Sequence, residues 1–338
     1  MSGVRTEAVS EADAGQRLDR WFKRKFPALK HGELEKLLRT GQIRVDGGRV
    51  KSNRMLAAGE EIRLPPQVQA GPVEAAAPKR QVSAEDAQFI RRLVIYEDDH
   101  VIALAKPFGL AVQGGVKTSR HIDGMLDAFG TGEARPRLTH RLDRDTGGVL
   151  LLGRTRQAAA ALAGAFQRHE VEKVYWALVA GRPNPREARI DMPVAKRMVK
   201  LRDGEQERMV AAEDDDAKKA LTDYMVVDDA NGQVSFLALK PLTGRTHQLR
   251  VHCAAMGTPI LGDGKYGGPA ARMEGAGEGL KLFCREMAFN HPKTGKRMAV
   301  KARLEGHMRK SFEFFGFDPD GDTPFPEERP TVRKARRR

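Results

Sequence analysis

Hydrophobic positions first gather between residues 15 and 65, in helical spacing. Arg17-Leu-Asp-Arg-Trp-Phe opens one amphipathic helix, and Leu34, Leu37 and Leu38 form the apolar stripe of a second over residues 32–39. Alternation then takes over at Gln42-Ile-Arg-Val. The Asp46-Gly-Gly triplet supplies a hairpin turn, Arg49-Val resumes, and Gly59-Glu-Glu-Ile-Arg-Leu closes the unit. The pattern predicts a small helix-helix-hairpin module, preceded by a flexible stretch over residues 1–14.

Residues 66–88 are rich in Pro and Ala without an amphipathic period, which predicts a linker. Two apolar runs of strand length follow, Leu93-Val-Ile-Tyr and Val101-Ile-Ala-Leu-Ala, broken at Glu97-Asp-Asp-His and stopped by Lys106-Pro-Phe-Gly. Residues 157–168 form an Ala-rich helix with Leu162 and Phe166 on one stripe, and Lys173-Val-Tyr-Trp-Ala-Leu-Val-Ala runs as a buried strand. A mixed domain over residues 89–316 is expected, and then a disordered basic tail over residues 317–338 that ends Val332-Arg-Lys-Ala-Arg-Arg-Arg.

Composition narrows the partners. A chain of 338 residues with 40% hydrophobic and 31% charged positions can pack a core, and its length suits two domains. The formal charge of +14 favours a polyanion, either nucleic acid or an anionic membrane surface. No stretch reaches the roughly 20 apolar residues of a membrane span, and the polar start lacks a signal-peptide core, so a cytoplasmic protein is expected. Cys253 and Cys284 have no Cys-x-x-Cys spacing, which argues against a disulfide framework or a zinc ribbon and for reduced, buried thiols. His247 and His252, five apart, share neither a helix face nor a strand face, so no metal site is expected. Nor does a Gly-x-Gly-x-x-Gly or Walker-type loop point to a nucleotide cofactor. Arg17, Arg20, Lys23, Lys30, Lys36, Arg39 and Arg44 fall on the helices and hairpin of the first module, where a basic face can follow a phosphate backbone.

The densest chemistry lies in Arg137-Leu-Thr-His-Arg-Leu-Asp-Arg-Asp-Thr-Gly-Gly-Val-Leu-Leu-Leu-Gly, a charged loop before an apolar strand. Asp143 stands between Arg141 and Arg144, and an approaching guanidinium keeps a carboxylate ionised. Such a carboxylate suits a nucleophile or a base; the same pattern also suits a surface ion pair. This stretch resembles the defining motif of the RluA-type pseudouridine synthases, His-Arg-Leu-Asp followed two residues later by Thr-Ser-Gly, with Gly147 here in place of the serine. The resemblance implies that Asp143 is the catalytic residue.

Further landmarks of that family follow in order over roughly residues 90 to 305. Lys106-Pro-Phe-Gly resembles its Lys-Pro-x-Gly turn, where Pro107 and Gly109 would fix the backbone and Lys106 would either touch phosphate or stay an exposed turn lysine. Glu172-Lys-Val-Tyr-Trp resembles the segment whose tyrosine packs on the target base, which assigns that role to Tyr175. Gly244-Arg-Thr-His-Gln-Leu-Arg resembles the segment whose last arginine pairs with the catalytic aspartate, here Arg250. Gly257-Thr-Pro-Ile-Leu-Gly-Asp-Gly-Lys-Tyr-Gly resembles a loop that shapes the cleft, in which Asp263 and Tyr266 read as structural. Arg141, His140, Lys106 and Arg245 are the expected substrate-binding residues, with Arg141 filling the vacancy left by an extracted uridine. The first module resembles the alpha-L RNA-binding domain, which makes Arg17, Arg20, Lys30, Lys36, Arg39 and Arg44 its RNA contacts.

The resemblance implies an α+β catalytic fold with a bipartite, mainly antiparallel central sheet, and an enzyme that needs no cofactor or metal. The implied substrate is structured RNA, most specifically large-subunit ribosomal RNA or a pre-ribosomal particle, bound by a monomer without an obligate protein partner. A noncatalytic RNA-binding ribosome-assembly factor is the alternative from another class, and it would not need Asp143. A hydrolase using His140 or His247 is a further one, distinguished by cleavage of its product.

Overall fold

The computed structural model describes residues 3–68, 82–115, 118, 120–201, 204–322 and 325. The chain divides into two compact units, residues 1–81 and 82–338.

In the first unit the elements run β1 (Arg5–Ala8), α1 (Leu18–Lys25), α2 (His31–Arg39), β2 (Arg44–Val45) and β3 (Glu61–Leu64). Leu18, Trp21 and Phe22 on α1 and Leu34, Leu37 and Leu38 on α2 repeat at three- and four-residue intervals, so each helix turns one stripe inward. These stripes close over Ile62 and Leu64, the inward residues of β3. β3 is flanked by β1 and β2, both antiparallel to it.

Two expectations need correcting here. Residues 5–8, expected to be flexible, pair along β3 from Arg5 opposite Leu64 to Ala8 opposite Glu61. An edge strand held by main-chain bonds needs no apolar alternation, so Arg5-Thr-Glu-Ala carried no readable signal. Arg49-Val50 form no return strand. Asp46 and Gly47 do turn the chain with positive φ of 48° and 73°. After Gly48, however, the chain leaves to cover α1, where Leu18 N–H donates to Arg54 O and Asp19 N–H to Ser52 O.

Of the expected linker, residues 69–81 lie outside the described residues. The second unit is under way by Ser83, whose hydroxyl caps α3 (Ala84–Arg92) by accepting from Asp86 N–H at 3.1 Å. The elements continue β4 (Val94–Glu97), β5 (Val101–Lys106), α4 (Ile122–Met125), β6 (Arg137–Leu138), β7 (Gly147–Gly153), α5 (Arg156–Gln167), β8 (Glu172–Ala180), β9 (Glu187–Asp191), β10 (Val194–Leu201), β11 (Gly204–Ala211), β12 (Leu221–Ala230), β13 (Val234–Pro241), α6 (Gln248–Ala255), β14 (Leu282–Asn290), β15 (Arg297–Lys301) and α7 (Gly306–Phe315).

A ten-stranded sheet forms the frame in the order β4-β5-β7-β14-β8-β13-β12-β9, with β6 added on β7 and β15 on β14, while β10 and β11 pair apart from it. Neighbours are antiparallel except β7 and β14, which run parallel. The fold is α+β, and this parallel seam divides its sheet into two halves. Gly148 sits on the seam at φ 112°, where a β-carbon would lie 2.1 Å from the Cys284 carbonyl oxygen, so glycine alone fits. Gly147 beside it faces the rings of Phe283 and Phe108 at 3.0 to 3.1 Å from where a β-carbon would stand. The serine of the resembling motif would have to press those two rings back by a few tenths of an ångström.

The expected tail also needs correction. Phe317 is buried against Phe236 and Phe312, Arg309 pairs with Asp320 at 2.7 Å and Lys301 with Asp322 at 2.6 Å. Residues 317–322 thus belong to the folded unit, while residues 323–324 and 326–338, with the terminal basic run, lie outside the described residues. Among the described residues no helix is long and apolar enough to cross a membrane.

Candidate active site

The loop between β6 and β7 is fixed at both ends before it reaches Asp143. At its start the Thr139 hydroxyl donates to Leu151 O at 2.7 Å, and His140 Nε2 accepts from Leu151 N–H at 2.9 Å, with the imidazole stacked on Phe166. Burial, with Lys173 nearby, pushes His140 down to about 3, so it stays neutral with an acceptor at Nε2. At the far end Arg144 donates from Nε to Gly109 O, and its own carbonyl accepts from Lys106 Nζ at 3.0 Å. Lys106 is 1% exposed and gives its other two donors to Pro107 O and Leu110 O. Its three N–H groups are spent on backbone carbonyls, so the phosphate contact expected of Lys106 is corrected: it pins the Asp143 loop to the Pro107-Phe-Gly-Leu turn. Burial pushes its pKa down to about 7, against the pull of Asp145 and Asp143.

Between these anchors Asp143 is held half-buried, its side chain 26% exposed. Among the described residues its carboxylate meets one ionisable partner at ion-pair range, His247, with Nε2 3.7 Å from Oδ2. His247 stands just before α6 in left-handed backbone (φ 54°, ψ 17°), and its Nδ1 lies 2.6 Å from the Tyr266 hydroxyl. Burial lowers the pKa of His247, and the Asp143 charge offsets part of that.

Arg250, in the first turn of α6, makes a two-pronged pair with Asp263: Nε to Oδ2 at 2.8 Å and Nη2 to Oδ1 at 2.6 Å. The expected pairing of Arg250 with Asp143 is therefore corrected in its partner. A planar guanidinium has one fork to offer, and the buried Asp263, on the following loop, takes it. Burial works against both charges, yet the pair holds Arg250 above and Asp263 below their usual ranges, helped by Lys265 and Tyr266 N–H groups donating to Asp263. Asp143 still feels the Arg250 charge at longer range.

Tyr175 comes from β8, where it lies opposite Cys284 on β14. Burial raises the phenol pKa well above its usual value, with Cys284 and Asp143 adding to it, so the ring presents a neutral aromatic face. Two adjoining cavities, of about 570 and 760 Å³, meet at Arg141, Asp143, His247 and Arg250; Tyr175, His140 and Arg245 line the first. Arg141 is exposed at this junction, and Arg245 donates from Nε to Lys219 O at 3.0 Å at the rim. The structure thus gathers Asp143, Tyr175, Arg250, Arg141, His140 and Arg245 around one cleft and sends Lys106 beneath it. His247, weighed from the sequence as a metal ligand or a hydrolase residue, stands beside Asp143 instead, and Asp263 and Tyr266, read as structural, bond Arg250 and His247.

The cations expected to touch RNA in the first unit divide. Arg20, Lys30, Lys36 and Arg39 are exposed. Arg17 is paired through two bonds with Asp19, and Arg44 donates to Gly41 O and Gly47 O. Among the described residues no group of three or more His, Cys, Asp or Glu side chains is placed to hold a metal ion.

Chemically, the cleft offers a fixed, partly desolvated carboxylate, an aromatic face, and arginines for an anionic ligand. Comparison with known proteins agrees with that set. Residues 100–255 match the family model described as RNA pseudouridylate synthase. The chain is 33% identical over 316 residues to the ribosomal large subunit pseudouridine synthase C of Salmonella typhimurium (strain LT2), covering 92% of this chain and 96% of that protein. It is 37% identical over 286 residues to the mitochondrial RNA pseudouridine synthase 4 of Arabidopsis thaliana, covering 73% of this chain and 59% of that protein. Among solved structures it resembles human RNA pseudouridylate synthase domain containing 4, with a TM-score of 0.57, 26% identity, and coverage of 68% of this chain and 95% of that one.

Proposed function

This chain belongs to the RluA-type RNA pseudouridine synthases, and from that premise we propose that it isomerises uridines of large-subunit ribosomal RNA with Asp143 as its catalytic carboxylate. The reaction breaks the bond from ribose to uracil N1, turns the base and joins C5 to the same ribose carbon. It is redox-neutral and leaves RNA length and mass unchanged. The observation that carries the residue assignment is the convergence of Asp143, Tyr175 and Arg250 on one cleft from segments far apart in sequence.

In this reading Arg141, exposed where the two cavities meet, enters the helix as the uridine leaves it, and Tyr175 stacks on the extracted base. Asp143 then acts on the nucleotide, by attack at ribose C1′, by addition to the ring, or by removal of a ribose proton. Each route needs a carboxylate that is ionised and free to move toward the substrate. Arg250, held by the buried Asp263, stiffens the cleft beside Asp143. Arg245 meets phosphate at the rim, and His140 holds the loop.

Within the first unit, residues 15–65 serve as an alpha-L RNA-binding domain through Arg20, Lys30, Lys36 and Arg39. The enzyme works in the cytoplasm as a monomer on free ribosomal RNA or a pre-ribosomal particle. The large-subunit assignment draws its support from relatives that bear that name across nearly the whole chain.

Pseudouridines mapped chemically in total RNA test this reading, using cells that lack the protein and are complemented with wild type or Asp143→Asn. Loss of discrete large-subunit marks, restored by wild type alone, is expected. Restoration by Asp143→Asn would remove Asp143 from the chemistry, and an unchanged map with RNA binding intact would favour an assembly factor.

A further inference from the structure

His247 occupies a position that its own helix does not explain. It stands at the N-cap of α6, where Ser, Thr, Asp or Asn would bond a free N–H, yet its side chain makes no such bond. Gln248 ties down the loop before the helix instead, its Oε1 accepting from Arg245 N–H at 3.0 Å and from the Thr243 hydroxyl at 2.7 Å. The left-handed backbone at His247 is uncommon for a residue with a β-carbon, and it directs the imidazole away from the helix toward Asp143.

Both ring nitrogens then face oxygen. Nδ1 lies 2.6 Å from the Tyr266 hydroxyl and Nε2 3.7 Å from Asp143 Oδ2. If Nδ1 carried the proton, a bare Nε2 lone pair would face the carboxylate. If the Tyr266 hydroxyl donates to Nδ1, the proton sits on Nε2 and points at Asp143. Electrostatics selects the second arrangement. The groups that face the imidazole are Asp143 from the β6–β7 loop, Arg250 from α6, and Asp263, Lys265 and Tyr266 from the following loop; Arg141 and Arg245 line the same cleft. Two nearby cations and burial disfavour a third positive charge, so the ring is neutral at neutral pH.

Arg250 is committed to Asp263, which leaves the catalytic carboxylate without the fork expected to hold it. We propose that His247 takes that task as a positioning residue: a neutral imidazole, its tautomer set by Tyr266, whose Nε2–H orients the Asp143 carboxylate. The separation of 3.7 Å exceeds a hydrogen bond, and contacts of this kind commonly shorten when substrate closes a site. An imidazolium would bind the carboxylate more tightly and lower its reactivity, so the neutral ring orients without quenching. The inference rests on Asp143 being the catalytic carboxylate.

The test uses the full-length protein and a large-subunit RNA transcript tritiated at uracil C5, which releases tritium as the new bond to C5 forms. Single-turnover rates at saturating enzyme, RNA affinity and circular dichroism are measured for wild type, His247→Ala, His247→Asn, Tyr266→Phe and, as control, Asp143→Asn. His247→Ala is expected to slow the chemical step about 100-fold with RNA affinity unchanged. Asparagine tolerates left-handed backbone and keeps an N–H donor, so His247→Asn is expected to recover about tenfold of that loss. Tyr266→Phe slows the step without removing the imidazole. As pH falls and His247 takes a proton, the wild-type rate declines; in His247→Asn that decline moves to lower pH. A wild-type rate in His247→Ala, or equal slowing of both His247 variants at every pH, would overturn the positioning role while an inactive Asp143→Asn leaves the reading of Asp143 standing. Activity in Asp143→Asn would instead remove that reading and this inference with it.

Discussion

Asp143 lines the cleft, Asp263 lies buried behind Arg250, and the two carboxylates are treated in opposite ways. Asp263 is 1% exposed, gripped by both prongs of Arg250 and capped by the Lys265 and Tyr266 N–H groups. Asp143 is 26% exposed, with a neutral imidazole 3.7 Å away and open space on either side. A carboxylate whose lone pairs are all engaged can transmit force but cannot attack or accept a proton without first losing its partners. One that is fixed through its backbone yet open at its oxygens can do both. The loop around Asp143 is accordingly rigid where it is not reactive, with Thr139, His140, Arg144 and Lys106 holding its main chain.

The sharpest way to break this contrast is to neutralise each carboxylate in turn. Asp143→Asn is expected to abolish turnover, by more than about 1000-fold, and to leave the unfolding free energy within about 0.5 kcal/mol of wild type. Asp263→Asn strands a buried guanidinium and is expected to cost about 3–5 kcal/mol in urea denaturation, with activity falling as the cleft wall loosens. If both variants lost stability equally, the division between a reactive and a structural carboxylate would be wrong.

Acid sharpens the same pair. The carboxyl of Asp263 titrates below its usual range in the folded protein, because Arg250 and two N–H groups outweigh the effect of burial. The unfolded chain therefore takes up that proton first as pH falls. The stability it confers is complete above the unfolded carboxyl value and drains away as pH drops through the folded one. Urea midpoints measured across the acid range should fall for wild type and change less for Asp263→Asn.

Lys106 gives a smaller effect and tells two readings apart. Lys106→Met keeps the bulk but leaves three carbonyls without donors, so the loop carrying Asp143 loosens and turnover should drop about tenfold with RNA affinity unchanged. A phosphate contact would predict the reverse, weaker RNA binding with a shallower salt dependence.

Asp143 was legible because its chemistry is local: the motif, the flanking arginines and the strand after it lie within a few residues. The two helices of the first unit and the strands at residues 93–105 were legible for a similar reason, since periodicity is written in neighbours. What escaped was set by distance. His247 reaches Asp143 across more than a hundred residues, and Arg250 chooses between two aspartates on either side of it in sequence. Lys106, beside a proline and a glycine, carries every mark of an exposed turn lysine, and its burial follows from β5 lying inside the sheet between β4 and β7. Arg5–Ala8 hid because a strand bound through its main chain owes little to its side chains.

The distinction between engaged and open charges also separates the cations of the first unit, where the expected effects are smallest. Arg17 already shares two bonds with Asp19, whereas Arg39 is exposed at the end of α2. A cation neutralised within the protein releases few counterions on meeting RNA, because it must surrender one partner to take another. An exposed one adds its full share. Arg39→Ala should therefore flatten the plot of log affinity against log salt by about 0.7 to 0.9, as one lost phosphate contact does, and Arg17→Ala by much less. Salt titrations of the two variants against one transcript decide it. Equal slopes would mean that Asp19 yields Arg17 to the RNA, and that pairing in the free protein, which separates Asp263 from Asp143, does not carry over to the surface.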